Sequence, residues 1–137
     1  MNDNLIIARN HFKTAKVVAT TQDEDLLNSA CFHVEQGVEL CFKFLATRCG
    51  KSIGKKRDIP SAVYLLTQWG YTLDEWFVTH AADLKFWAVD ARYNLNVRGT
   101  YLLCLEGLRK GYELLEYCKS LDVSDRSFKF LSEEESK

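Results

Sequence analysis

The sequence predicts an all-helical, single-domain protein, and three observations predict it. Breakers are scarce: 137 residues contain one proline, Pro60, and seven glycines. A many-stranded sheet needs Gly, Pro, Asn and Asp in its turns. Hydrophobic residues make up 47%, ample for a core in a chain that buries roughly two thirds of its unfolded surface. Apolar residues also recur at steps of three and four through five successive stretches.

The first helix is predicted over 4–19, with Leu5, Ala8, Phe12, Ala15 and Ala19 on one face. Thr20 to Asp23 break it, and Thr21 or Asp23 can cap the next helix. The second helix, 24–49, carries two apolar stripes. One holds Leu26, Ala30, His33, Gly37, Leu40 and Phe44; the other holds Leu27, Val34, Val38, Cys41 and Leu45. Two adjoining stripes bury more than half the girth, so this helix is expected at the centre. Mid-helix glycine costs roughly 1 kcal/mol relative to Ala, so Gly37 marks a close approach by another helix. Gly50 is expected to terminate the helix.

The loop KSIGKKRD follows, and Asp58 caps a third helix with Pro60 in its first turn and Gly70 at its end. Thr72 is expected to cap a fourth helix, 73–93, with Trp76, Phe77, Ala81, Leu84, Ala88 and Ala91 facing inward. The fifth helix, 98–121, turns Tyr101, Leu102, Leu105, Leu108, Tyr112, Leu115 and Cys118 to the core. The helical domain therefore spans residues 1–123, and 124–137 form a polar, acidic tail. Trp69, Tyr71, Trp76, Phe77, Phe86 and Trp87 load the middle of the chain with aromatics. Most suit the core, and the surplus suggests an interface.

Net charge is -1, so nucleic acid would have to be held by a local patch rather than a global basic field. Arg48, Lys51, Lys55, Lys56 and Arg57 form such a patch; a solvated loop and a docking surface for an acidic partner are both open readings. The stretch GKSIGKK is not a phosphate loop, because the glycine spacing is short, Lys55 is followed by Lys56, and no strand precedes it. No basic segment leads into a long apolar run at the N-terminus, and no run approaches the ~20 residues of a membrane span. Five cysteines, Cys31, Cys41, Cys49, Cys104 and Cys118, show no CxxC spacing and read as small buried hydrophobes. A cytoplasmic protein without metal or cofactor is expected.

Three segments resemble the HEPN family in order along residues 4–121. ACFHVEQGVELCFKFLA supplies His33, Gln36, Glu39 and Lys43 at the spacing of that family's second helix. RDIPSAVYLLTQWG has Arg57 where the family has His, then Asp58, Ile59, Leu65, Leu66 and Gly70. VDARYN carries Arg92 and Tyr93, with Asn94 in place of the family's proline. The resemblance implies an up-and-down bundle of four main helices plus a short one, a homodimer, and a nucleotidyltransferase partner in a toxin–antitoxin setting. It also implies a nucleotide or RNA ligand.

The family's ribonucleases need Arg followed after four to six residues by His, because cleavage takes an imidazole for proton transfer and a cation on the phosphate. Arg92 matches the arginine, but Val97, Arg98 and Gly99 occupy the histidine positions. The expectation is a non-nuclease binding module, with Arg92, Tyr93, Arg98 and His33 as candidate ligand-binding residues and no catalytic residue. Arg92 also reads as a structural arginine pairing with Asp90, Asp83 or a carbonyl, and His33 as a satisfied core histidine. Glu39 and Lys43 suit a helix ion pair, and Gln36 a bond to a neighbouring helix or a dimer partner. The alternatives are a diverged ribonuclease toxin using Arg92 with His33, and a structural fragment of a larger complex.

Overall fold

The structure is a computed structural model, and it describes residues 1–54, 58–89 and 97–122, with Val89 described through its backbone alone. Every regular element among these residues is helical. The helices are α1 (Asp3–Thr20), α2 (Leu27–Arg48), α3 (Ile59–Gln68), α4 (Glu75–Thr79), α5 (Ala81–Val89) and α6 (Val97–Leu121), with one 3₁₀ turn, Glu24–Leu26, before α2. None is long and apolar enough to cross a membrane. The acidic tail, Lys55, Lys56, Arg57 and residues 90–96 lie outside the described residues.

Local chemistry sets most of the ends. The Asn2 side chain accepts from Asn4 N–H at the start of α1. Asp58 accepts from Ser61 N–H at 2.9 Å to start α3, with proline in the first turn. Gly50 (φ +75°) and Gly70 (φ +97°) take the left-handed conformation that ends α2 and α3. Around each, paired bonds close the last turn: Gly50 N–H to Thr47 C=O and Lys51 N–H to Ala46 C=O, and likewise Gly70 to Thr67 and Tyr71 to Leu66. Ile53, in the loop after α2, is tucked into the core.

Helices α1, α2 and α6 pack against one another as a three-helix bundle, with α1 antiparallel to both others. Asn2 N–H donates to Asp122 at 2.7 Å, while Arg48 Nε, at the far end of α2, donates to Leu121 C=O at 3.4 Å. The three helices meet around Phe12, which is fully buried. A Cβ on Gly37 of α2 would overlap the Phe12 ring, and one on Gly111 of α6 would stand 2.6 Å from it. Gly37 thus makes the close approach expected of it. Helices α3, α4 and α5 cover the other side of α2, where Phe42 meets Phe77 edge-on at 5.7 Å between ring centroids.

Three expectations are corrected. The single fourth helix is two helices broken at His80 (φ -109°, ψ 17°), and Asp74 rather than Thr72 caps the first. The Trp76 indole bonds Glu106 and lies against Gly107, which fixes the direction of α4 independently of α5. On α6, Leu102 and Leu105 are 56% and 38% exposed, while Cys104, Gly107 and Gly111 face inward. Phe12 and Trp76 approach so closely that only small residues fit beneath them, and the bulkier leucines turn outward. The second helix begins later than expected, at Leu27: Asp23 caps the 3₁₀ turn instead, and Leu26 is exposed.

Four of the five cysteines are buried, and Cys49 is exposed. Trp76, Phe77 and Trp87 are core residues, Trp69 and Tyr71 pack against the core, and Phe86 remains 42% exposed.

Candidate functional site

The chain reverses between α1 and α2 through Thr21, Gln22 and Asp23. Gln22 takes a left-handed φ of 56°, uncommon for a residue with a side chain. Asp23 Oδ1 accepts from Asp25 N–H at 2.9 Å and so starts the 3₁₀ turn. This connection and the first turns of α6 enclose a cavity of about 450 Å³, a size typical of small-molecule sites. Val18, Ala19 and Leu27 form the apolar wall on the α1–α2 side, beside Gln22, Asp23 and Glu24; Val97, Arg98 and Tyr101 come from α6.

The polar groups around this cavity are largely unspent. Arg98 is exposed and no hydrogen bond or ion pair ties its guanidinium to a described residue. The same holds for the side chains of Gln22, Glu24 and Tyr101. Arg98 forms no ion pair with Asp23 or Glu24, although all three line the one space. The arrangement can therefore hold one anionic group and one cationic group against an apolar wall. No histidine lines it.

His33 is elsewhere. Its Nδ1 lies 2.9 Å from Nδ1 of His11 on α1, with the rings 5.1 Å apart and tilted by 33°. One nitrogen must donate and the other accept, so the contact requires at least one neutral ring. Burial, then the neighbouring imidazole, lowers the His11 pKa from 6.5; burial lowers that of His33. The third histidine, His80, pairs with Asp83 at 3.1 Å, the carboxylate considered as a partner for Arg92.

One ionisable group was not singled out from the sequence. Glu35 is 2% exposed, and burial raises its carboxyl pKa from 4.5 to about 8. It keeps its proton at neutral pH, and Gln36 Nε2 donates to its Oε2 at 2.7 Å. Gln36 thus bonds its neighbour on the same helix rather than a second helix. The broad burial of α2 was the available signal for Glu35. Glu39 and Lys43 form the expected ion pair at 3.1 Å.

Of the candidate ligand-binding residues, the structure places Arg98 on a cavity and His33 apart from it. Arg92 and Tyr93 lie outside the described residues, as do Lys55, Lys56 and Arg57 of the basic patch. Arg48 and Lys51 are exposed. Among the described residues no group of three or more His, Cys, Asp or Glu side chains is placed to hold a metal ion.

No protein-family model, curated protein or solved structure matches the chain. The site is therefore defined by its own geometry.

Proposed function

We propose that this protein is a non-cleaving helical binding module of HEPN-like type that takes a small ligand in the cavity at Arg98. The observation that carries the reading is a guanidinium bonded to no described residue, on a cavity of about 450 Å³ that no imidazole lines. A cation without the imidazole that the family's ribonucleases use for proton transfer favours holding an anionic function over cleaving a phosphodiester. The HEPN part of the reading rests on the sequence motifs of α2, α3 and residues 89–94. A homodimer belongs to the same reading, supported by the exposed apolar side chains Phe32, Leu102 and Leu105; a nucleotidyltransferase partner rests on the resemblance alone.

The test has two arms. Mixed RNA incubated with the protein, with and without divalent cations, is expected to stay intact. Cleavage that disappears in Arg92→Ala or His33→Ala would replace this reading with the ribonuclease toxin. In parallel, a thermal-shift screen of small metabolites against wild type and Arg98→Ala is expected to yield ligands that stabilise the wild type alone. Equal stabilisation of both proteins by every ligand would remove Arg98 from the site.

A further inference from the structure

We propose that the Arg98 cavity is selective for a small zwitterion with a bulky apolar side chain, an amino acid or dipeptide, and against nucleotides. The inference rests on the reading of this cavity as the ligand site and adds the chemistry of its occupant.

Charge is the first argument. Among the described residues the lining holds one cation, Arg98, against two carboxylates, Asp23 and Glu24. A nucleotide brings two or more negative charges, so Arg98 would neutralise one of them while both carboxylates repelled the rest. A zwitterion brings one charge of each sign. Its carboxylate suits the planar fork of Arg98, and its ammonium suits Glu24 and the second oxygen of Asp23, whose first oxygen is committed to the Asp25 N–H. Because Arg98 pairs with neither carboxylate, these charges are not already cancelled, and no ion pair between Arg98 and a described residue has to break on binding.

The apolar wall is the second argument. Val18, Ala19, Leu27 and Val97 offer aliphatic contact without further charge, which favours a ligand with an apolar body over one made only of charged ends. The Tyr101 hydroxyl and the Gln22 amide, bonded to no described residue, add donors and acceptors for a peptide group. A volume of about 450 Å³ accommodates one bulky residue or a dipeptide and excludes a longer folded segment.

Isothermal titration with L-phenylalanine, L-leucyl-L-phenylalanine, N-acetyl-L-phenylalaninamide and AMP tests this. At least one of the two zwitterions is expected to bind saturably. The neutral blocked form and AMP are each expected to bind about tenfold more weakly or not at all, a difference of about 1.4 kcal/mol. Arg98→Ala and Glu24→Gln are each expected to weaken the zwitterion by a similar factor. Both side chains are exposed and bonded to no described residue, so unchanged circular dichroism and urea midpoints will separate lost binding from lost fold. Binding of AMP in an Arg98-dependent way without zwitterion binding would overturn the inference and leave the cavity as a ligand site. Zwitterion binding unaffected by either substitution would overturn the placement, and binding of no probe would overturn the proposed ligand class.

Discussion

The sharpest structural prediction concerns the Phe12 ring held between Gly37 and Gly111. At an ordinary helix position, Gly→Ala stabilises by roughly 1 kcal/mol. Here a Cβ on Gly37 would overlap the ring edge at Cε1, and the Cβ position of Gly111 lies 2.6 Å from the same atom, so this edge fills the crevice between the two glycines. Tyr112 closes a further side, 5.5 Å away between centroids. Overpacking of this kind costs about 1–3 kcal/mol. We expect Gly37→Ala to destabilise the protein by ~1–2 kcal/mol, and Gly37→Leu by more. At a urea m-value of ~2 kcal/mol per molar, the first change lowers the midpoint by ~0.5–1 M. Phe12→Leu alone is also expected to destabilise by opening a cavity. Combined with Gly37→Ala, it should cost less than the sum, because the smaller side chain makes room for the new methyl. A raised midpoint for Gly37→Ala, or strict additivity in the double variant, would refute the wedge.

Two pH predictions follow from the buried Glu35 and the half-buried histidine pair. Glu35 has a folded pKa raised from 4.5 to about 8, so its contribution is fully present below pH 4.5 and is lost as pH rises through 8. That loss amounts to ~3–5 kcal/mol at about 1.4 kcal/mol per unit, and Glu35→Gln should abolish this component of the urea midpoint's fall between pH 5 and 8.5; identical profiles for the two proteins would contradict the shift. The His11–His33 pair has the opposite sign. Both folded pKa values lie below 6.5, so stability drops as pH falls below 6.5, and NMR titration of the two rings should give midpoints under that value. A midpoint at or above 6.5 for either ring would show that the pair is not held neutral.

Sequence alone determined that this chain is helical, where α1, α3 and α6 run, where α2 ends, and which residues punctuate α2 at its end and α3 at both ends. Asp58, Gly50 and Gly70 act within a turn of their own positions, so capping and left-handed backbone are encoded locally. The inward face of α1 was equally legible, since one amphipathic stripe has only one way to be buried. Gly37 announced a close approach through its cost in a helix, but the sequence did not say that Phe12 makes it.

Tertiary structure decided the rest. Leu102 and Leu105 are as apolar as any core residue, yet the approach of Phe12 and Trp76 at Gly111 and Gly107 turned the small-residue face of α6 inward. His11 and His33 stand 22 residues apart in sequence and meet only because α1 folds back along α2. Arg98 gained its cavity in the same way, from carboxylates and aliphatic side chains at the opposite end of the sequence. Helix ends are set by neighbouring residues, whereas a site is set by packing between distant ones, and packing is a property of the whole fold.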